Sequence, residues 1–173
     1  MITDLSRGRL AAFYLTAIAA MTVAVSAADI WPTKLVYNAT ASVPLGWYTI
    51  GEPRDLRPGD LVLVRPPLRM EPLLVGRGYL GAGVPLVKQI GAAPGSTVCR
   101  RENRVTIDAT PAAVARDADS LGRPLPRWSG CRRLGAGDVF LLNSGSPGSF
   151  DGRYFGPTSA RDIVGSARPL WTW

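Results

Sequence analysis

A chain of 173 residues holds one domain plus an anchor, and its composition excludes several chemistries at once. There is no histidine, so a Ser-His-Asp triad, a Cys-His dyad and histidine metal sites are impossible, and two cysteines alone cannot close a structural zinc site. The net charge is +7, with Lys34 and Lys88 the only lysines among twenty basic residues; no basic tail or basic run interleaved with aromatics accompanies it, which argues against a nucleic-acid partner and leaves anionic lipid or an acidic partner to account for the charge.

The first element is the run LAAFYLTAIAAMTVAVSAA, residues 10–28, which carries no charge. As a helix it reaches about 28 Å, against a hydrocarbon core of roughly 30 Å. Arg7 and Arg9 precede it, so the positive-inside rule keeps residues 1–9 in the cytoplasm and exports residues 29–173. A cleaved signal peptide is the competing reading, because "VSA" before Ala28 has the small-residue form of a cleavage site, although the run is longer than a usual signal core. Export gives the cysteines a meaning. Cys99 and Cys131 would lie in an oxidising compartment, where a disulfide is the default and would contribute roughly 3–4 kcal/mol. Two separate buried thiols remain the alternative.

Nineteen Gly and fifteen Pro punctuate the exported part into short segments. "TKLVYNATAS" to "LGWYTI" alternates and is rich in β-branched and aromatic residues, which predicts strand, turn, strand. "LRPGDLVLVRPP" predicts a turn and a strand over residues 61–64. "RMEPLLVGRGYLG" fits a short helix or a loop lying near the membrane. "VPLVKQIGAAPGSTV" predicts a strand through Lys88 and a turn at Pro94-Gly95, and "NRVTID" a short strand. Residues 109–133 are polar and rich in Pro and Ala, reading as a long excursion with a hairpin. "GAGDVFLLNSG" predicts a turn and a buried strand, and "DIVGSARPLW" a last strand. No internal repeat is present. The fold class expected is mostly β, of sandwich or barrel type.

With no histidine, a serine nucleophile needs another base, and lysine is the known alternative. Lysine works only when neutral, and burial disfavours its charged form. In a strand, Lys88 of "VPLVKQIG" shares a face with Leu86 and Ile90. Arginine, the chain's usual cation, could not serve, because it does not lose its proton in proteins. A surface lysine that snorkels is the plainer reading of this stretch alone. "NATASVPLGWYTI" places Ser42 shortly before Pro44 and Gly46, either as a turn feeding a strand or as a serine held out for chemistry. "NSGSPGSFDGRYFGP" is a glycine-rich loop with an Asp151–Arg153 pair, of a kind that is common and weakly stabilising on a surface.

Together, "SVPLGWY", "VKQIGAAPGSTV" and "GSFDGRYFGP" resemble the boxes of the serine–lysine signal peptidases, in order and behind the expected anchor. The nearest likeness is to the conjugal-transfer branch, the TraF-type pilin-processing peptidases, whose serine box reads Ser-x-Pro-x-Gly-x-Tyr; "LGRPLPRWSGCRRL" is similar to that branch as well. The resemblance implies a signal-peptidase-like β fold with one transmembrane helix. It implies Ser42 as nucleophile, Lys88 as general base, and the Ser42 N–H with the Thr40 hydroxyl as oxyanion donors. Ser149 would orient the Lys88 amine, and Asp151 and Arg153 would hold the loop around the site. It implies no metal and no cofactor, a pilin precursor as substrate, membrane lipid as a partner, and a bacterial inner-membrane location with the catalytic domain in the periplasm. Members of that branch join the two ends of a pilin into a ring. The rival expectations are a general signal peptidase that clears many leader peptides and, from another class, a non-catalytic pilus-assembly scaffold. Three departures stand out. The usual Gly-Asp-Asn opening of the last box is Leu141-Leu142-Asn143, Gly152 replaces the serine of Asp-Ser-Arg, and Val43 stands where a methionine often follows the serine.

Overall fold

The computed structural model describes residues 2–27 and 35–173, and the chain divides into two units, Met1–Thr33 and Lys34–Trp173. The expected junction between anchor and exported part, residues 28–29, lies outside the described residues.

The first unit is helix α1, Ile2–Ala27. Among its described side chains, Phe13, Leu15, Ile18, Met21 and Val23 are all exposed. Its stretch Gly8–Val25 has a mean hydropathy of 1.6 and is the one segment among the described residues long and apolar enough to cross a membrane.

The second unit is mostly β. Eleven strands follow in chain order: β1 Leu35–Asn38, β2 Gly46–Gly51, β3 Leu61–Val64, β4 Leu86–Ala92, β5 Thr97–Arg101, β6 Arg104–Ile107, β7 Thr110–Val114, β8 Gly130–Arg133, β9 Asp138–Leu141, β10 Thr158–Ser159 and β11 Ile163–Thr172. Two short helices join them, α2 Glu71–Gly76 and α3 Gly152–Phe155, with a 3₁₀ turn at Ala160–Asp162. A seven-stranded sheet has the order β1-β2-β11-β3-β4-β9-β10, and a four-stranded sheet the order β7-β6-β5-β8.

Side-chain alternation sets which face each strand buries. In β2, Tyr48 and Ile50 turn inward and Trp47 and Thr49 outward. Tyr48, Ile50, Leu63, Val87 and Ala167 make one core of the large sheet. Val62, Val64, Ile90, Leu141 and Phe155 make another. Because β3 pairs with β4 in the register Val62–Lys88 and Val64–Leu86, Lys88 shares the face of this second core, as the two-residue period requires. Strand β9 is buried on both sides: Val139 and Leu141 face that core, while Phe140 and the following Leu142 pack with Val98 and Val105 of the small sheet. The continuous apolar run of "VFLL" follows from this two-sided burial.

The segment 109–133 is more ordered than its composition suggests. Its ends are strands of the small sheet, paired in register to β6 and β5, and between them residues 115–129 form a strap carrying one bridge, Ala118–Pro124. Cys99 and Cys131 stand directly opposite each other on β5 and β8 and form a disulfide. The loop 143–157 contains helix α3, which glycine content conceals; Asp151 caps it by accepting from the Arg153 N–H.

Candidate active site

Each position of the serine box has a physical reason. Residues 39–45 connect β1 to β2, whose pairing ends at Asn38–Gly46. Gly46 has φ +130°, and a Cβ there would sit 2.2 Å from the Trp171 carbonyl oxygen on β11, so only glycine fits. The fully buried Tyr48 donates its hydroxyl to the Pro44 carbonyl at 2.7 Å, tying the loop down onto the strand.

Asn38 is the residue that sequence reasoning left without a role, and it holds this loop from inside. It is buried, and its Nδ2 donates to the carbonyls of Thr40, Val43 and Pro44 at 2.8, 3.2 and 3.0 Å. Its Oδ1 accepts from the Thr40 N–H at 3.2 Å and the Thr40 hydroxyl at 2.9 Å. An asparagine just ahead of a tight polar loop is a known turn-former, which was the available signal. The result is a half-buried Ser42 whose Oγ lies 3.3 Å from the Thr40 Oγ1.

The structure brings Ser42, Thr40, Lys88 and Ser149 to the wall of one cavity of about 460 Å³, otherwise largely apolar, with Leu74, Leu86, Phe150 and Tyr154 in its lining. Lys88 is 3% exposed, and its Nζ donates to the Ser149 Oγ at 3.0 Å. Desolvation by burial pulls its pKa from 10.5 down to about 8; Asp151 opposes the change and Arg153 adds to it. Burial therefore prepares an amine that can lose its proton near neutrality. No hydrogen bond links Ser42 to Lys88 directly; such contacts often close only when substrate is bound.

Asp151 and Arg153 lie behind the cavity wall, 0% and 1% exposed. Arg153 meets both carboxylate oxygens, with Nε to Oδ1 at 2.9 Å and an Nη to Oδ2 at 2.8 Å. The same guanidinium donates to the carbonyls of Asn143 and Ser146 at 3.1 and 2.7 Å, and Asp151 accepts from the Asn143 N–H at 3.1 Å. This buried fork, far from a loose surface pair, fixes the turn that presents Ser149. Arg100, fully buried in β5, donates to the Arg153 carbonyl and ties the small sheet to the same turn. Among the described residues no cluster of three or more His, Cys, Asp or Glu is arranged to hold a metal.

The chain is 36% identical over 146 residues to a plasmid transfer protein TraF of Escherichia coli, an alignment covering 79% of this chain and 82% of that protein. It is 35% identical over 185 aligned positions to a probable conjugal transfer protein TraF of Sinorhizobium fredii, covering 97% and 94%. A solved signal peptidase I from Enterococcus faecalis superposes with a TM-score of 0.38 at 18% identity, covering 66% of this chain and 98% of that one, a likeness too loose to carry an argument. The sequence profile of the family "Signal peptidase, peptidase S26" matches residues 7–173. This chain belongs to the signal peptidase family, peptidase S26.

Proposed function

We propose that this protein is a membrane-anchored serine endopeptidase that processes the exported pilin precursor of a conjugation, type IV secretion apparatus, with Ser42 as nucleophile and Lys88 as general base. The observation that carries the reading is the Lys88 amine, buried, held by Ser149 and brought down to about 8, in the cavity that also presents Ser42. The Lys88 amine takes the Ser42 proton as Oγ attacks the scissile carbonyl, then delivers it to the leaving amine. The Ser42 N–H and the Thr40 hydroxyl stabilise the oxyanion. Thr40 has one proton to give, and it is engaged by Asn38; turning it to the oxyanion exchanges a neutral hydrogen bond for a charge-assisted one. Asn38 keeps the Thr40 N–H when that happens.

A lipid partner and a periplasmic domain on the inner membrane complete the proposal. They are supported by α1 and by a set of exposed aromatics, Tyr37, Trp47, Trp171 and Trp173, with Leu35 and Leu170 beside them. Their rings contact at 5.2 to 6.3 Å, and the Trp173 N–H donates to the Leu45 carbonyl beside the serine loop. Tyrosine and tryptophan in such a patch suit the membrane interface.

The relatives' printed role in plasmid transfer supports a substrate from a conjugation apparatus, and the largely apolar cavity beside Ser42, which disfavours water at the acyl-enzyme, supports a pilin closed into a ring over one that is only trimmed. Intact mass of the mature pilin from cells carrying wild-type or Ser42→Ala protein tests both parts. Ser42→Ala should leave the precursor unprocessed. The wild-type product should be one water lighter than the linear trimmed chain and closed to N-terminal sequencing. Normal processing by Ser42→Ala refutes the nucleophile; a linear mass with a free N-terminus refutes the ring.

A further inference from the structure

Ser42 sits on a ridge between two cavities. Ala41, Ser42 and Ser146 line both. The first is the Lys88 cavity. The second, about 580 Å³, lies on the other side, and its wall includes Leu45, Leu61, Gln89, Asn143, Gly145 and Trp173. A peptide whose scissile bond lies at Ser42 must run past the serine in both directions, so one cavity receives the acyl part and the other what leaves or arrives as the amine.

The second cavity has a built feature that nothing internal explains. Asn143 is 3% exposed, and its Nδ2 has no hydrogen-bond partner. Its orientation is fixed, because its Oδ1 accepts the Gln89 N–H at 2.7 Å and a flipped amide would oppose two donors. A buried donor left unpaired is costly, and the Asn143 N–H and C=O and the Ser146 C=O of the same loop are all paired. Arg100 Nη2 and Thr158 Oγ1 are likewise unpaired, but of the three residues Asn143 alone lines a cavity at Ser42, where an acceptor from outside the chain could meet it.

We propose that the second cavity is the seat of the amine-bearing peptide segment, with the Asn143 Nδ2 donating to a backbone carbonyl of that segment. This rests on the serine peptidase reading above. In the step it serves, the amine nitrogen forms a bond to the acyl carbon of the Ser42 ester and the Ser42 Oγ–carbon bond breaks. The amine's proton passes to the Lys88 Nζ, and the Ser42 Oγ takes one back, so no further reactant is needed. A segment seated there excludes water from the acyl-enzyme and raises the effective concentration of the amine.

Two variants test the seat without touching the dyad. Gly145 is exposed and a Cβ built on it meets nothing within 4 Å, so Gly145→Trp fills the cavity from a permissive position. Asn143→Asp keeps the acceptor for Gln89 and removes the donor. The full chain in detergent micelles is given a peptide thioester as acyl donor and a short peptide amine as acceptor. The ratio of amide to acid product is followed by mass spectrometry as acceptor concentration rises, at several pH values. Wild type should show a ratio that saturates with acceptor. Both variants should lower it, Asn143→Asp by about tenfold, the size of one lost hydrogen bond in a desolvated site, and Gly145→Trp, which touches neither the dyad nor the Asp151–Arg153 fork, should keep thioester consumption within about twofold of wild type. A saturating ratio unchanged in Gly145→Trp, or a wild-type ratio that rises linearly without saturating, overturns the seat alone. A wild-type chain that never consumes the thioester overturns the peptidase reading and the seat with it.

Discussion

Replacing Lys88 by methionine should abolish activity and make the protein more stable. The lysine is 3% exposed, on the sheet face that carries Val62, Leu86 and Ile90. Its pKa falls from 10.5 in the unfolded chain to about 8 in the fold, so between these values the unfolded chain binds more protons and stability rises with pH. Below about 8 the fold carries the whole cost of the buried amine, about 3 kcal/mol; above 10.5 that cost is gone. Methionine has similar length and no charge. It forfeits the hydrogen bond to Ser149, about 1 kcal/mol. The net gain at pH 7 is about 2 kcal/mol, or about 4–8 °C in Tm for a chain of this size. Thermal unfolding of the full chain in micelles at pH 7 and pH 10 reads it, and the advantage should shrink at the higher pH. A variant no more stable than wild type at pH 7, or one whose gain is the same at both pH values, refutes the idea that the fold holds Lys88 at a cost for the sake of its proton.

The same amine sets the pH profile: kcat/KM should rise with pH and level off above about 8, and Lys88→Arg should be as inactive as Lys88→Ala, since a guanidinium cannot take the proton. A flat profile from pH 6 to 9 on a peptide substrate, or near wild-type rates in Lys88→Arg, removes Lys88 as the base. Thr40→Val should slow the chemistry by about 10²–10³ with little change in KM, and Thr40→Ser should retain much of the rate; equal rates in the two variants remove Thr40 from the oxyanion site. Asn38→Asp keeps the acceptor for Thr40 but loses the NH2 group that bonds three loop carbonyls, and should cost about 2–4 kcal/mol in unfolding experiments together with a drop in kcat; wild-type stability and rate in that variant contradict its role in shaping the serine loop.

The strands were legible where alternation or an apolar run was clean, as in β2, β3 and β9, and so was the face that Lys88 shares with Leu86 and Ile90. Less legible were elements whose order comes from distant partners. Strand β7 contains Pro111 and alanines and β8 is wholly exposed, so neither carries a periodic signal; ladder bonds and the disulfide to β5 define them. The strap between them is held by Trp128, whose Nε1 donates to the Gly152 carbonyl, and by Tyr154, whose hydroxyl accepts the Arg116 N–H. Such long-range contacts leave no local pattern. Asn38 was hidden for a different reason: its bonds are local, but five of them converge on one side chain only once the loop has closed around it.

The departures in the last box become intelligible as one exchange of polar for apolar packing. Phe140 and Leu142 belong to the core between the two sheets, with Val98, Val105 and Leu134. Their bulk requires gaps elsewhere. A Cβ on Gly91 would lie 2.7 Å from the Leu142 Cβ, and one on Gly152 would lie 2.6 Å from both the Leu141 carbonyl oxygen and the Phe140 ring. The serine usual at position 152 therefore cannot be accommodated while Phe140 fills that space, and an aspartate at 142 would bury a charge in an apolar cluster. The backbone path is held by bonds that these side chains do not make. The Leu142 N–H reaches the Gln89 carbonyl at 2.9 Å, and the Asn143 N–H reaches Asp151. Those two bonds pin β9 to the lysine strand on one side and to the Asp151–Arg153 fork on the other. The distance between Lys88 and Ser149 thus depends on main-chain bonds and on that fork, and not on the residue types that differ.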